Sequence, residues 1–232
     1  MSATSGRTAI LSRIRASLGV SATDTERRCA VEKRMSEPPH LIVPARASAS
    51  GDDLIALFVS FLAAQGTDLL TAPDATDVPT AIAEYLSHHA LPPRLRHGSD
   101  PVLAGLPWES APDLQIESGP AVADDTAAGL SHALAGVAET GTLVIASGPE
   151  NPVTLAFVPD VHIVVLERAH VVGCYEEAYA RAQLGRSAAL PRTLNLISGA
   201  SRTGDIAGKI VMGAHGPRRL AVVLVGRASL EM

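Results

Sequence analysis

The chain has 232 residues, a formal net charge of −5, and a hydrophobic content of 47% of which little is aromatic. This length suits one α/β domain with appendages, or two small domains, with a core of mostly aliphatic side chains. The negative net charge argues against a nucleic-acid-binding protein, which needs a basic surface. Cys29 and Cys174 are too far apart in sequence to form a C-x-x-C pair. We therefore expect no iron–sulfur centre made by this chain alone.

Neither a targeting segment nor a membrane span is predicted. The first twenty residues include three arginines and no long apolar stretch, unlike a secretory signal peptide. No run of about eighteen apolar residues, which a membrane-spanning helix would need, occurs in the chain. These features predict a cytoplasmic protein without a membrane span.

The N-terminal region differs in pattern from the rest. Ser5–Leu18 has apolar residues at three- and four-residue spacing, which predicts an amphipathic helix. We expect its narrow apolar face to dock on the main body or on a partner subunit, including a second copy of the chain. Ser21–Pro44 is mostly polar and charged, and we interpret it as an extended arm or linker. The chain is therefore divided into an N-terminal helix and arm, 1–45, and an α/β domain, 46–232.

The next segments alternate between helical and strand patterns, which is typical of a wound α/β sheet. Helices are predicted over Asp52–Gln65 and Val78–His88, strands over Asp68–Thr71, Arg94–His97 and Leu114–Glu117, and a helical turn from Asp124 to Thr126. The adjacent His88 and His89 end a predicted helix. Since neighbouring helical side chains point in different directions, no metal site is predicted there.

The segment V-A-E-T-G-T-L-V-I-A at 137–146 is the centre of the pattern. Leu143–Ala146 is apolar without alternation, which predicts a strand covered on both faces, as in a parallel sheet flanked by helices. Glu139 precedes this strand, between small and hydroxyl-bearing residues. A buried carboxylate must be solvated, paired or functional. The residues alone leave open whether Glu139 is functional or only caps a loop.

Further elements follow in order. They are a tight loop over Ser147–Pro152, a helical turn over Val153–Val158, a strand over Val161–Leu166, a helix over Tyr175–Leu184, and strands over Leu194–Ile197 and Leu220–Val225. His162 lies inside an apolar strand. We interpret it as a hydrogen-bonded core residue rather than a catalyst.

A group of small and hydroxyl-bearing residues follows the strand that ends near Ile197. Gly199–Ile206 combines these residues with Arg202, and we expect a helix to begin there, which would make an anion cradle. Arg202 could bind a carboxylate or phosphate with two hydrogen bonds. An ordinary capped turn, with Arg202 paired to Asp205, fits equally well. His215 lies on a glycine-flanked loop and is a candidate proton donor or anion contact.

Four ordered segments resemble the LUD domain, and are most similar to its lactate utilisation protein C subgroup. They are A-E-T-G-T-L-V-I-A-S-G-P at 138–149, P-D-V-H-I-V-V at 159–165, I-S-G-A-S-R-T-G-D-I at 197–206 and G-A-H-G-P-R-R-L at 213–220. The resemblance covers about residues 50–226. It implies a fold similar to the NagB/RpiA/CoA transferase-like group, in which helices flank a largely parallel sheet.

The resemblance also implies a role in oxidising L-lactate to pyruvate. In that system three proteins act together, and the partners are iron–sulfur and glycolate-oxidase-like proteins. We therefore expect this chain to hold no cofactor and no metal of its own. The absence of cysteine clusters is consistent with that division of labour.

Carried over by motif, the resemblance implies two catalytic candidates, Glu139 and His215. It implies substrate- or anion-binding roles for Thr140, Gly141, Thr142, Ser198, Gly199, Ser201, Arg202, Thr203, Asp205 and Gly216. One departure is that Ala133–Ala135 stands where many members have an acidic residue, so no second carboxylate is expected beside Glu139. Because ligands bind beyond the carboxyl ends of parallel strands, we expect Glu139, Arg202 and His215 to share one pocket at that edge.

Three functional hypotheses follow. The first is a subunit of a multi-protein L-lactate oxidation system, lacking its own redox centre. The second is a stand-alone enzyme of the isomerase or transferase type, acting through Glu139 on a small phosphorylated or acyl substrate. The third is an interaction module whose motifs only preserve turns. No G-x-G-x-x-G motif follows a predicted strand, so a dinucleotide-dependent dehydrogenase acting alone is not expected.

Overall fold

The computed structural model describes residues 3–21, 23–37, 42–123, 128–184, 191–206 and 209–227. The chain groups into two compact units, Met1–Ile42 and Val43–Met232. Among the helices of these described segments, none is both long and apolar enough to cross a membrane.

The first unit contains two helices, α1 (Ala3–Leu18) and α2 (Thr25–Ser36). The first confirms that a helix covers the predicted segment Ser5–Leu18. The second lies within Ser21–Pro44, which was predicted as an extended arm or linker, so the prediction of an extended conformation was wrong over Thr25–Ser36. The Asp24 side chain caps α2 by accepting a hydrogen bond from the Arg27 amide, 3.0 Å away. This cap and a run of good helix formers favour a helix although α2 has no buried residue.

The second unit is an α/β fold with a six-stranded parallel sheet flanked by helices. Its helices are α3 (Gly51–Ala64), α4 (Val78–His88), α5 (Pro101–Ala104) and α6 (Tyr175–Leu184). Its strands are β1 (Asp68–Ala72), β2 (Arg94–His97), β3 (Gln115–Ser118), β4 (Ala128–His132), β5 (Ala135–Val137), β6 (Thr142–Ala146), β7 (Val161–Glu167), β8 (Val171–Val172), β9 (Leu194–Ile197), β10 (Arg202–Ile206), β11 (Lys209–Met212) and β12 (Arg219–Val225). The parallel sheet has the strand order β1-β12-β7-β4-β2-β3.

The parallel sheet is covered on both faces. On one face α4 contributes Ile82 and Leu86 to a cluster that includes Ile163 and Val223 of the central strands. On the other face α3 contributes Phe58 and Leu62 to a cluster with neighbouring residues of the same two strands. Burial on both faces explains why β7 and β12 consist mostly of aliphatic residues.

A second, four-stranded sheet has the order β8-β5-β6-β9. The predicted burial of β6 is confirmed, but its predicted place in a parallel sheet was wrong, since β6 is antiparallel to both β5 and β9. One face of β6 packs Leu143 with Phe58 of α3. The other face packs Val144 with Ala178 of α6. An apolar run therefore indicates that both faces of the strand are covered, but it does not indicate whether the strand is parallel or antiparallel to its neighbours.

β10 and β11 form an antiparallel hairpin, in which Arg202 is opposite Met212 and Thr203 is opposite Val211. The prediction that a helix begins in Gly199–Ile206 was therefore wrong. β-Branched residues in both segments favour a strand pair. The helical turn predicted at Asp124–Thr126 lies outside the described residues.

Candidate functional site

A cavity of about 400 Å³ lies at the amino ends of β1, β7 and β12. Its lining residues are Gln65, Ala156, Phe157, Leu196, Ile197, Ser198, Gly199, Ala200, Ser201, Arg202, His215, Gly216 and Pro217. Gln65 precedes β1, Phe157 precedes β7 and Pro217 precedes β12, which identifies the edge. We had expected the opposite, carboxyl edge. The rule for wound sheets does not apply here because Ser198 follows β9, which belongs to the antiparallel part of the second sheet.

Arg202 is held at this cavity by the end of α3. Its Nη2 donates a hydrogen bond to the Gln65 carbonyl oxygen. Carbonyl oxygens at a helix C-terminus attract a cation. Gly66 has φ +71°, and a Cβ there would lie 3.0 Å from Arg202 Nη2, so the glycine leaves room for the guanidinium. Among the side chains that the structure describes, no carboxylate pairs with Arg202.

His215 reaches the same cavity from the loop between β11 and β12. Backbone hydrogen bonds fix that loop to Ser201: the Ser201 amide donates to the Pro217 carbonyl at 2.9 Å, and the Gly213 amide donates to the Ser201 carbonyl at 2.9 Å. A Cβ at Gly216 would lie 3.3 Å from the Ser201 Cβ. The predicted residues Arg202, His215, Ser198, Gly199, Ser201 and Gly216 therefore line one cavity.

The turn before β6 is connected to this cavity by hydroxyl groups. Thr142 Oγ1 lies 2.6 Å from Ser198 Oγ and 2.9 Å from the Tyr175 hydroxyl. Thr140 Oγ1 lies 2.8 Å from Thr142 Oγ1 and 2.9 Å from the Tyr175 hydroxyl. Ser198 is the member of this network that lines the cavity. Tyr175 was not among the predicted site residues, because nothing in its local sequence indicates a hydroxyl partner.

Gln65 joins the same turn to α3. Its Nε2 donates a hydrogen bond to the Thr140 carbonyl oxygen at 2.6 Å. Its Oε1 is buried and has no hydrogen-bond partner in the described part of the chain. Gly199 packs against Gln65, and its φ of +81° belongs to the left-handed region that favours glycine. The C-terminal end of α3 therefore contacts two of the four motif segments, 138–149 and 197–206.

The structure does not bring Glu139 into the cavity lining. Glu139 is buried, and its amide donates to the Gly173 carbonyl at 3.2 Å. No hydrogen bond of its carboxylate to a described residue is formed. Thr203 lies in β10 and does not line the cavity either. Asp205 belongs to the same strand, and its side chain lies outside what the structure describes.

A second cluster lies at the carboxyl edge of the parallel sheet. His132 ends β4, Glu167 ends β7, and Asp100 follows β2. His132 Nδ1 is 3.2 Å from Asp100 Oδ2, and His132 Nε2 is 3.0 Å from both carboxylate oxygens of Glu167. Asp100, His132 and His170 border a cavity of about 210 Å³. Glu167 does not border this cavity but contacts both histidines. The cavity is separate from the one that Arg202 lines.

The two carboxylates set the protonation of His132. Burial disfavours its charged form, but hydrogen bonds and charges of Asp100 and Glu167 outweigh burial and raise the pKa of His132 to about 9. Burial raises the pKa values of Asp100 and Glu167, but the interactions with His132 together with backbone hydrogen bonds outweigh burial, so both pKa values fall below their ordinary values. Burial, with the nearby charges of Arg181 and His132, lowers the pKa of His170.

The sequence analysis missed this cluster. β4 was not predicted, because its residues A-G-L-S-H include small and polar side chains that weaken the strand pattern. The signal that was available is that Glu167 directly follows the strand predicted over Val161–Leu166. A polar residue at the carboxyl end of a buried strand is well placed for a ligand site.

The family profile of the LUD domain matches residues 55–225. The chain belongs to the LUD domain family. The matched region of the LUD domain contains the residues that line the larger cavity and all four members of the carboxyl-edge cluster. It begins inside α3, so the first unit lies outside it.

Relatives of this LUD domain chain are found in bacteria. An uncharacterized protein of Neisseria meningitidis serogroup B is 39% identical over 98 residues, which are 42% of each chain. A protein named lactate utilization protein C, from Geobacillus thermodenitrificans, is 31% identical over 105 residues, which are 44% of each chain. The alignments thus span under half the length of these two relatives.

A solved structure is similar over a longer region. The crystal structure of a DUF162 family protein from Deinococcus radiodurans has 26% sequence identity and a TM-score of 0.55. The match covers 77% of this chain and 99% of the Deinococcus chain. This agreement supports the α/β architecture of the LUD domain described above.

Proposed function

We propose that this chain acts in lactate utilization, as a subunit of a multi-protein L-lactate oxidation system that relies on the redox centres of its partners. Membership of the LUD domain family and the name of the Geobacillus relative support the process. The partners would be the iron–sulfur and glycolate-oxidase-like proteins that the resemblance implies. The fold likeness to the NagB/RpiA/CoA transferase-like group stays a prediction.

Within that role, the cavity that Arg202 lines is the proposed binding site for a small carboxylate such as lactate or pyruvate. The observation that carries this proposal is that Arg202 and His215 line one cavity, and that no carboxylate is among the lining residues that the structure describes. An arginine without a described acidic partner favours an anion there, through charge-assisted hydrogen bonds. A volume of about 400 Å³ falls in the range of small-molecule sites.

Each lining residue has a defined part in the proposed site. Arg202 binds the carboxylate. The hydroxyl groups of Ser198 and Ser201 donate hydrogen bonds to the ligand or accept them from it. His215 is placed to hold or move a proton beside it. Phe157 forms an apolar wall for the methyl group of the ligand. Oxidation of lactate removes two electrons, which in this proposal pass to the redox centres of the partner proteins.

The alternative of a stand-alone enzyme acting through Glu139 has weaker support. Glu139 does not line the cavity, and the turn that carries it contacts the lining through Thr142 on Ser198 and through the Thr140 carbonyl on Gln65. We therefore assign the Thr140–Thr142 turn a positioning role, in which Thr142 orients the Ser198 hydroxyl.

Ligand binding tests the site. Calorimetric titration of the full chain with L-lactate, pyruvate and inorganic phosphate should show binding of at least one of the two carboxylates. Arg202→Gln should weaken that binding at least tenfold, since a charge-assisted hydrogen bond contributes roughly 1.5–3 kcal/mol. Arg192→Gln is the matched control, because Arg192 is an exposed arginine that precedes β9 and does not line the cavity. Binding that is equal in both variants would contradict the site, and binding of phosphate alone would favour the alternative.

Reconstitution tests the process separately. Candidate iron–sulfur and glycolate-oxidase-like partners are co-expressed with and without this chain, and lactate oxidation with an artificial electron acceptor is measured. We expect activity to require this chain and to fall with Arg202→Gln but not with Arg192→Gln. Full activity in the absence of the chain would overturn the proposed subunit role.

A further inference from the structure

The cluster at the carboxyl edge of the parallel sheet has the donor set of a metal site. Two imidazoles, His132 and His170, and the Glu167 carboxylate approach one another there. Their candidate ligand atoms all lie within 4.8 Å of one another. No residue of the proposed lactate site takes part, so the two sites are independent.

The distances suit a tetrahedral ion. Glu167 Oε2 lies 3.0 Å from His132 Nε2 and 3.0 Å from His170 Nδ1. Zinc binds histidine nitrogen and carboxylate oxygen at about 2.0–2.2 Å, so tetrahedral ligand atoms lie roughly 3.3 Å apart. Small side-chain movements would therefore convert the present arrangement into a coordination shell.

His170 provides a second observation. Its Nδ1 is buried and, in spite of its short distance to Glu167, forms no hydrogen bond of acceptable geometry to a described residue. An unsatisfied buried polar atom costs free energy. A metal ion between the two side chains would remove that cost.

Asp100 supplies the support that a metal-binding histidine usually has. Its Oδ2 lies 3.2 Å from His132 Nδ1, on the side of the ring opposite Glu167. Its Oδ1 meanwhile accepts hydrogen bonds from the amides of Val102 and Leu103 at the start of α5, which fixes the carboxylate. A carboxylate on the second ring nitrogen orients the histidine and strengthens it as a ligand.

The local charge also favours a cation. Asp100, Glu150 and Glu167 carry three negative charges around the smaller cavity, against the positive charges of Arg181 and the protonated His132. A divalent ion bound by neutral histidines would balance this excess. The open position of such an ion would face the cavity of about 210 Å³.

From this geometry we infer that His132 Nε2, His170 Nδ1 and the Glu167 carboxylate bind one Zn²⁺ ion, with Asp100 as the residue that positions His132. Two histidines and one glutamate with an open fourth position are a donor set of catalytic zinc sites. The fourth ligand is a water molecule or a small ligand from the cavity. The sequence offered no complete ligand motif, because His132 ends β4 whereas Glu167 and His170 lie together at the end of β7 and in the turn that follows it.

Zinc titration is the primary test. The full chain is stripped with EDTA, desalted and titrated with Zn²⁺ in competition with a fluorescent zinc chelator. We expect one zinc ion per chain and a higher melting temperature, while Mg²⁺ has no effect because nitrogen ligands suit it poorly. His170→Gln and Glu167→Gln should each weaken zinc binding at least tenfold. Asp100→Asn, which keeps an oxygen to cap α5, should weaken it about 10- to 100-fold.

His88→Gln is the matched control, because His88 is an exposed histidine on α4, away from the cluster. This variant should bind zinc as the wild type does. Circular dichroism establishes that each variant is folded. Failure of the wild type to bind one equivalent of zinc, or unchanged binding in His170→Gln and Glu167→Gln, would overturn the inference.

Cobalt gives an independent readout that needs no variant. Co²⁺ in a four-coordinate nitrogen–oxygen site absorbs visible light much more strongly than octahedral Co²⁺. We expect the wild-type protein to show the strong spectrum at one equivalent and to lose it on adding Zn²⁺. A weak octahedral spectrum, or no displacement by Zn²⁺, would contradict the site even if the variants do not fold.

Discussion

Thr142 Oγ1 and Ser198 Oγ lie 2.6 Å apart, although 56 positions separate the two residues in the chain. This contact joins the turn before β6 to the loop after β9. It is also the point at which the hydroxyl network of Thr140, Thr142 and Tyr175 reaches the larger cavity. Two of the sequence motifs therefore meet through side chains, while the Glu139 carboxylate remains outside the cavity lining.

Removing the Thr142 hydroxyl should cost stability. Thr142 is fully buried, and Thr142→Val keeps its shape while leaving Ser198 and Tyr175 without one partner. We expect the free energy of unfolding in urea to fall by about 1–3 kcal/mol. Thr142→Ser keeps the hydroxyl and should lose less. Thr80→Val, at an exposed position of α4, is the control, and an equal loss in both valine variants would count against the network.

Gly141 should tolerate no side chain. Its φ is +62°, and a Cβ would lie 2.7 Å from the Phe61 Cβ and 2.9 Å from the Leu62 amide nitrogen. Gly141→Ala combines backbone strain of about 1–2 kcal/mol with overpacking of about 1–3 kcal/mol. Urea denaturation should therefore show a loss of roughly 2–5 kcal/mol.

Gly51→Ala separates the two causes. Gly51 also has a left-handed φ, +57°, but nothing lies within 4 Å of a Cβ built there. Its replacement should cost only the strain. If Gly141→Ala were no more destabilising than Gly51→Ala, the close packing of the turn against α3 would be disproved.

Elements with strong local signals were predicted at their observed residues. α4 and α6 were predicted at their observed bounds, because α4 has an apolar face and a proline in its first turn, and α6 has Glu176 and Glu177 in its first turn. The short strand β2 was also predicted correctly. Local patterns failed where pairing decides the structure. β10 is a strand because β11 pairs with it. The helix α2 was missed for a different reason, because it forms without any buried face.

The site residues divide in the same way, into those that local sequence marks and those that only strand pairing brings together. Arg202, His215 and Ser198 could be selected from small segments rich in glycine, hydroxyls and charge, and they do line one cavity. The edge of the sheet could not be predicted, because the direction of β9 depends on its pairing with β6. Of the cluster of His132 with Asp100 and Glu167, only Glu167 had a local signal, since the order of parallel strands is what brings the three residues together.

The two cysteines should differ sharply in reactivity. Cys29 is exposed on α2, whereas Cys174 is buried, and burial raises the pKa of its thiol. The thiolate is the reactive species, so a raised pKa slows the reaction further. Ellman's reagent should label one thiol of the native protein quickly and the second only after unfolding. Cys29→Ser should abolish the fast phase, and two equally fast thiols would contradict the buried position of Cys174.

His162 should make the protein less stable in mild acid. Its ring is buried in β7, Nε2 lies 3.0 Å from Ser131 Oγ, and burial lowers its pKa from 6.5 to about 3. Between these two values the unfolded chain binds a proton at this position and the folded chain does not. The stabilising effect of the neutral ring is therefore complete above pH 6.5 and is lost as the pH falls toward 3. The slope approaches about 1.4 kcal/mol per pH unit for one such group.

The measurement is the free energy of unfolding in urea between pH 5 and 7. His170, whose pKa burial also lowers, adds to the same slope, whereas the pKa of His132, raised to about 9, makes its contribution constant below pH 6.5. Comparison with His162→Gln isolates the effect of His162, because glutamine offers Ser131 a hydrogen bond without titrating. We expect the pH slope of the free energy of unfolding to decrease by up to about 1.4 kcal/mol per pH unit in this variant. The slope should stay unchanged in the control His88→Gln, at an exposed position. Equal slopes in the wild type and His162→Gln would show that His162 is protonated in the folded protein, and that its place inside β7 is wrong.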